Sequence, residues 1–286
     1  IASLQKKKIK KSQSKTIIYY ISKPIVNVFK FVVMGRLNYL LSMMLVISFF
    51  GMSQRDVTKG VIGTPYVGVH FGMNIPGGDF AERYGFTSHM GGVAGYKTKK
   101  NWIYAADGNF LFGNKILIDG LLDNVKDEAG NITNSSGTPA QILFFVRGFN
   151  INAMIGKVIP ILSPNENSGL MIQLGAGYLW HRLRIESQED EVPQIEEENL
   201  KGYDRLTIGL NTTQFIGYNF MANQGVYNFY GGFYFQQGFT QDQRDVFWDR
   251  PNEQVSKDIR LEFQYGFKVG WLVPVYKRQP KEFYFD

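Results

Sequence analysis

The chain has 286 residues, no cysteine and a formal net charge of +6. Nine of its 31 basic residues and none of its 25 acidic residues lie in the first 53, so residues 54–286 carry a net charge of −3. The basic character therefore belongs to the N-terminal segment, and nucleic-acid binding loses its support. Because cysteine is absent, disulfides and an N-terminal lipid-modified cysteine are both excluded.

Residues 34–53 have the composition of a secretory signal peptide. Arg36 supplies the positive charge, residues 40–50 form an apolar core too short to span a bilayer, and small residues precede a cleavage site at Gln54. The alternative is a transmembrane anchor over residues 17–50, which would place three basic side chains in hydrocarbon. The pattern favours the signal peptide.

Residues 1–33 open on Ile and contain eight lysines and no acidic residue. Such a composition is typical of translated AT-rich DNA, so we expect a non-native upstream extension with the natural start at Met34. The alternative is a genuine basic amphipathic leader. In either case the folded part begins after residue 53.

Period-two alternation dominates residues 54–276 and predicts one all-β domain. The clearest example is residues 258–276, where an apolar row that includes Leu261 and Trp271 alternates with a polar or small row that includes Glu262 and Lys268. Eight strands are predicted, over residues 64–74, 87–97, 102–113, 140–156, 169–185, 204–221, 226–239 and 258–276.

The strand lengths and connections favour a membrane barrel over a soluble sandwich or a lipocalin-like barrel. Several strands exceed 15 residues, and short connections alternate with long polar ones at 114–139, 186–203 and 240–257. We therefore predict an eight-stranded antiparallel transmembrane β-barrel over 54–276, with long extracellular loops and a periplasmic C-terminal tail, 277–286. Five aromatic residues are candidates for its interfacial girdles: Tyr178, Trp180, Tyr218, Tyr265 and Trp271.

Three features resemble small eight-stranded outer-membrane barrels of Bacteroidota, PorT-like in layout. They are the signal ending before Gln54, the Gly-rich "GVHFGMNIPGG" from Gly68, and the ending "YGFKVGWLVP" from Tyr265. The resemblance implies an outer-membrane location, and for some relatives a role in type IX secretion. It implies no site residues.

Eight strands leave an interior that side chains fill, so an open pore is not expected. Charged residues predicted to face inward must pair across the lumen, since single buried charges are costly. The predicted ion-pair cluster is Asp107, Arg147, Arg205, Arg260, Glu262 and Lys268. Its alternative role is a narrow path for protons or ions.

Two long loops contain candidates for partner binding. The stretch 114–125 has apolar residues at helical spacing and predicts a short amphipathic helix whose Leu121 and Leu122 bind a partner or pack as a lid. The stretch 240–257 mixes aromatic and guanidinium groups, as interface hot spots do. Its candidates are Arg244, Phe247, Trp248 and Arg250.

Catalytic and metal chemistry has weak support in this sequence. Its three histidines show no zinc-binding spacing, and Ser88 and His89 are neighbours that point to opposite faces of a strand. The acidic loop 186–198 lacks the fixed ligand spacing of a known calcium loop, which favours a solvated outer loop. The alternative is a loop that holds Ca²⁺ or bridges lipopolysaccharide through divalent cations. We therefore expect no cofactor, no metal and no enzymatic activity. The leading hypothesis is a structural or accessory outer-membrane barrel that binds a partner, and the alternatives are a narrow transport or ligand-binding barrel and a lipid-modifying enzyme.

Overall fold

The computed structural model describes residues 60–188, 192–195, 197–223 and 227–275. The predicted extension 1–33, signal peptide 34–53 and tail 277–286 lie outside these residues. Within the described ranges, no helix is both long enough and apolar enough to cross a membrane.

Eight antiparallel strands close into one barrel in sequence order, and β1 pairs with β8. The closed antiparallel barrel confirms the predicted fold, and each strand lies within a few residues of its predicted position. The strands are β1 (Thr64–Gly78), β2 (Thr87–Lys97), β3 (Trp102–Gly113), β4 (Ile142–Ile159), β5 (Gly169–Ser187), β6 (Thr207–Met221), β7 (Asn228–Asp242) and β8 (Arg260–Pro274). Two short helices, α1 (Asp79–Arg83) and α2 (Glu197–Leu200), and two 3-10 turns, Asp123–Val125 and Pro193–Ile195, lie in the connections.

The two faces of the barrel wall have opposite chemistry. Outward side chains are mostly apolar and exposed, including Val69, Phe71, Tyr104, Ile151, Leu174, Leu210, Phe233 and Val269. Inward side chains are mostly polar and buried, including His70, Asn74, Asn109, Asn150, Asn152, Asn211, Gln236 and Gln264. A soluble sandwich or lipocalin-like barrel would have the reverse arrangement, so both alternatives are excluded.

The two ends of the barrel differ in the length of their connections. Residues 98–101, 160–168 and 222–227 connect strands at one end, here the short-turn end. Longer segments at 114–141, 188–206 and 243–259 lie at the other end, together with α1. We call this second set of segments the cap.

Inward glycines give the lumen space for its bulkiest polar side chains. A Cβ atom at Gly72 would lie 2.3 Å from His89 Cε1, and one at Gly91 would lie 2.7 Å from His70 Nε2. Both separations are below van der Waals contact. Because these two positions have no side chain, two imidazole rings fit inside an eight-stranded barrel.

Candidate functional site: the lumen and the extracellular cap

Polar side chains cross the middle of the lumen and fill it. His70 Nε2 donates to Asn109 Oδ1 at 2.6 Å, and Asn109 Nδ2 donates to Asn150 Oδ1 at 2.8 Å. Asn150 in turn donates to Gln236 Oε1 at 2.9 Å. Because Asn150 lies on β4 and Gln236 on β7, this chain of hydrogen bonds spans the barrel from wall to wall. We call the set His70, Asp107, Asn109, Asn150, Gln236 and Lys268 the central polar layer.

One ion pair lies within the central polar layer. Lys268 Nζ on β8 lies 3.3 Å from Asp107 Oδ2 on β3, and each side chain is about 95% buried. Asn109 also donates to the Asp107 carboxylate, and the Lys268 ammonium lies 4.4 Å from the Tyr234 ring centroid. The opposite charge, the amide donor and the aromatic face together offset the desolvation of the pair.

Above this layer, α1 inserts into the mouth of the barrel. Its Phe80 and the following Tyr84 are fully buried, and both rings contact His181 edge-on at centroid distances of 5.2 and 5.5 Å. Burial away from water raises the pKa of Tyr84, since the phenolate would be poorly solvated there. His181 Nε2 lies 2.7 Å from Glu262 Oε2. The helix therefore plugs the mouth with aromatic rings.

Arginine–carboxylate pairs hold the plug and the loops in place. Arg83 donates to both oxygens of Asp242 at 2.7 Å. Burial alone would lower the pKa of Arg83, but the hydrogen bonds and charge of Asp242 outweigh this effect and raise it. The hydrogen bond with Asp204 raises the pKa of Arg244 in the same way. Because these pairs are bidentate, each fixes the orientation of its loop as well as its distance.

The cap has a hydrophobic core of its own, separate from the central polar layer. The core is built from α1, the upper ends of β3, β4 and β5, and residues of the long loops. Its buried members are Phe80, Tyr84, Leu111, Leu121, Leu122, Ile132, Val146, Leu183, Ile185, Val192, Ile195 and Tyr203. The burial of so many large side chains makes the cap a packed structure.

A polar cavity of about 400 Å³ opens within the cap. It lies among α1, the loop 114–141 and the loop 243–259. Four arginines line it together with acidic and apolar side chains: Arg83, Arg205, Arg250, Arg260, Glu82, Asp119, Asp242, Glu253, Leu117 and Phe247. We call this space the cap cavity.

The structure distributes the six predicted lumen charges over four places, the fourth being the outer face of the barrel, where Arg147 lies. Asp107 and Lys268 meet in the central polar layer, and Arg260 Nε lies 3.7 Å from Glu262 Oε1 at the mouth. Arg205 lies in the loop before β6 and pairs with Asp249.

The prediction that Arg147 faces the lumen is wrong. The inward residues of β4 are even-numbered, so Arg147 lies on the outer face of the barrel. There its guanidinium lies 4.6 Å from the Phe145 ring centroid and donates to the carbonyl of Val146.

The prediction of a short amphipathic helix over residues 114–125 is also wrong. Gly120 and Leu122 have φ values of 72° and 65°, which end any right-handed helix, and only the 3-10 turn Asp123–Val125 forms. Leu121 and Leu122 are buried in the core of the cap, so neither offers a surface to a partner.

The four candidates in the loop 243–259 differ in accessibility. Arg244 is bound to Asp204, and the Phe247 ring lies 3.7 Å below the Arg205 guanidinium. Trp248 is 43% exposed and packs edge-on against Tyr203. Arg250 is exposed and lies at the edge of the cap cavity, where it approaches the carbonyl of Asp119 at 3.5 Å. Trp248 and Arg250 are therefore the candidates that a partner can reach.

Sequence reasoning missed most of the carboxylates that pair with the arginines. Asp204, Asp242 and Asp249 stand at strand ends or in loops, where no periodicity indicates the direction of a side chain. Asn150 and Asn152 could have been found from the alternation along β4, since both fall on its inward parity. Among the described residues, no group of three or more His, Asp or Glu side chains is placed to hold a metal ion. The acidic loop 186–198 lies partly outside the described residues.

No protein-family model and no curated protein sequence matches the chain. Solved structures with a similar barrel include Ail of Yersinia pestis, at 10% identity over 73% of this chain and 98% of that one, with a TM-score of 0.35. They also include OprG of Pseudomonas aeruginosa, at 8% identity over 75% and 98% of the two chains, with a TM-score of 0.37. The N-terminal barrel domain of OprF from the same organism gives 12% identity, coverage of 74% and 99%, and a TM-score of 0.32. Likeness at this level says nothing about a ligand or a partner.

The fold and its surface define the class of protein. A barrel that closes on itself leaves no unpaired strand edge, and this one has an apolar exterior around a polar interior. The chain is therefore a small eight-stranded β-barrel of the outer-membrane type, embedded in the bilayer and crossing it with every strand. Since short turns mark the periplasmic side of such barrels, the cap is extracellular and the short-turn end is periplasmic.

Proposed function

We propose that this chain is a non-conducting, non-enzymatic accessory or structural subunit of the outer membrane that binds a partner through its cap. The main support is the cap itself, in which a packed core and bidentate ion pairs hold a charged cavity open to the outside. A surface held rigid before binding loses little conformational entropy when a partner docks. The proposed contact region is the rim of the cap cavity around Arg250 and Trp248.

A role in secretion or surface assembly is a narrower form of this proposal. The resemblance to PorT-like barrels of Bacteroidota implies type IX secretion for some relatives, and it is carried by the signal ending before Gln54, the Gly-rich stretch of β1 and the ending of β8. A non-enzymatic role is supported by the burial of His181, which contacts Glu262 and two aromatic rings rather than a hydroxyl nucleophile.

The first test is a native pull-down of tagged protein from solubilised outer membrane, with co-purifying proteins quantified by mass spectrometry. We expect one partner at near-equal stoichiometry with the wild type, and at least tenfold less of it with Arg250→Glu, since the reversed charge opposes docking at the cavity rim. Lys201→Glu is the matched control, because Lys201 is exposed elsewhere in the cap. If both variants recovered as much partner as the wild type, the rim of the cap cavity would not belong to the interface. If no protein co-purified with the wild type at near-equal stoichiometry, the proposal would be overturned.

The second test addresses transport, which is the alternative role. Because the central polar layer and the α1 plug both close the lumen, we expect the purified barrel to show no stepwise conductance in planar lipid bilayers. A barrel with α1 deleted is an informative comparison, since it retains the central polar layer and should stay silent. Reproducible ion-selective steps from the wild type would contradict a non-conducting role and favour narrow transport.

A further inference from the structure

Two arginines lie directly opposite each other on the outer face of the barrel, near the extracellular ends of β4 and β5. Arg147 of β4 and Arg182 of β5 are register partners, and Arg184 is the next outward residue of β5. Arg184 pairs with Glu186, whereas neither Arg147 nor Arg182 forms an ion pair with a carboxylate in the described part of the chain. We call the three arginines the outer arginine cluster. Because like charges that face each other across two strands repel, this cluster favours an anion.

Aromatic rings hold the two opposed guanidinium groups. The Arg147 guanidinium lies 4.6 Å from the Phe145 ring centroid, and that of Arg182 lies 5.5 Å from a ring centroid of Trp180. The hydrogen bonds of Arg147 to backbone carbonyls all use Nη1, so its Nε and Nη2 have no acceptor among the described residues. Two planar groups that are held in place and retain unused donors are suited to bidentate recognition of a phosphate.

The outer arginine cluster lies at the upper boundary of the lipid-facing surface. Directly below it, the next outward pair is Phe149 and Trp180, and apolar residues continue from there towards the periplasmic end. Two pairs below Phe149 and Trp180, Ala153 faces Ala176, so the wall has a shallow strip on the same two strands. Headgroup phosphates lie at the edge of the hydrocarbon core of a bilayer, and acyl chains extend inwards from them. The arrangement therefore matches a lipid with a phosphate at its head.

We propose that the outer arginine cluster binds the phosphate group of an outer-leaflet lipid. The guanidinium groups of Arg147 and Arg182 donate to the phosphate oxygens, Arg184 adds a third positive charge beside them, and the acyl chains lie along the wall below. The lipid belongs to the outward-facing leaflet because the cluster is near the cap, which is extracellular. The site shares no residue with the cap cavity, so it goes beyond the proposed function and does not depend on it.

The test is native mass spectrometry of the full chain in a neutral detergent, titrated with lipid A that carries both of its phosphates. We expect saturable binding, weakened roughly tenfold or more in the double variant Arg147→Gln, Arg182→Gln, since the phosphate loses both bidentate contacts. Lys157→Gln is the matched control. Lys157 is exposed on the same face of β4 near its periplasmic end, so this variant should bind lipid A as the wild type does. No loss in the double variant, or an equal loss in Lys157→Gln, would overturn the proposal.

Two further titrations of the wild type keep the proposal testable even if the double variant fails to fold. Lipid A without its phosphates keeps the acyl chains, so equal binding of this lipid would show apolar adsorption and overturn the proposal. Inorganic phosphate supplies the anion without acyl chains. If it displaced lipid A at an equal concentration, the cluster would be a site for free phosphate and the lipid proposal would be overturned.

Discussion

Lys268→Met is expected to destabilise the barrel by about 3–5 kcal/mol, because it leaves the buried carboxylate of Asp107 without its counter-charge. The double variant Lys268→Met, Asp107→Asn removes both charges and should recover much of this loss. The measurement is urea-induced unfolding in lipid vesicles, followed by tryptophan fluorescence. The coupling free energy of the double-mutant cycle then measures the ion pair.

The matched control for this prediction is Lys157→Met. Lys157 is exposed on the outer face of β4, so the same chemical change there should have little effect on unfolding. If the effects of Lys268→Met and Asp107→Asn, each measured singly, simply added in the double variant, Asp107 and Lys268 would act independently. The central polar layer would then be held by its amide hydrogen bonds alone.

Phe80→Ala is expected to open the cap while the strands of the barrel persist. The Phe80 ring is fully buried between Tyr84 and His181, so its removal should cost about 3–5 kcal/mol of local stability. Because α1 and the loop 114–141 share one hydrophobic core, loss of the ring should expose that loop to protease. Limited proteolysis of protein in vesicles, with the cleavage sites identified by mass spectrometry, measures this effect.

Phe86→Ala is the control for the Phe80 experiment. Phe86 is 49% exposed at the start of β2, so its truncation leaves no cavity in the cap. We expect its proteolysis pattern to match that of the wild type. Protection of the loop 114–141 in Phe80→Ala would show that the core of the cap is stable without the α1 plug.

The Lys268 and Phe80 experiments distinguish two structures that close the lumen, the central polar layer and the cap. The central polar layer depends on hydrogen bonds and one ion pair between opposite walls, whereas the cap depends mainly on apolar packing and arginine–carboxylate pairs. A partner that docks at the cap cavity would contact only the cap and not the central polar layer. The lumen below can then stay closed whether or not the cap is occupied.

The sequence by itself determined the eight strands, their order along the chain and the chemistry of most faces. Alternation has a period of two, and in β8 the apolar and polar rows are unbroken from Leu261 to Trp271, so the lipid-facing row can be read directly. Strands that cross a bilayer must have one apolar face, which makes the pattern long and regular.

The alternation fails where a strand rises above the bilayer. The residues from Ile142 to Val146 are apolar on both faces, because the inner face of upper β4 packs against the core of the cap. With no polar row beside Arg147 to mark the lumen, this upper part of β4 does not indicate the parity, which only the alternation around Asn150 and Asn152 shows. The local composition around Arg147 therefore gives no indication of the face on which it lies.

The tertiary structure alone decided which side chains meet. Asp107 and Lys268 are 161 residues apart, and they face each other only because β1 pairs with β8 and closes the barrel with one particular stagger. Leu121 and Leu122 became buried because their loop folds back over the mouth, and two residues with positive φ in that loop prevent a helix. Local sequence gives the direction of a side chain within a strand, but long-range closure of the barrel gives its neighbours.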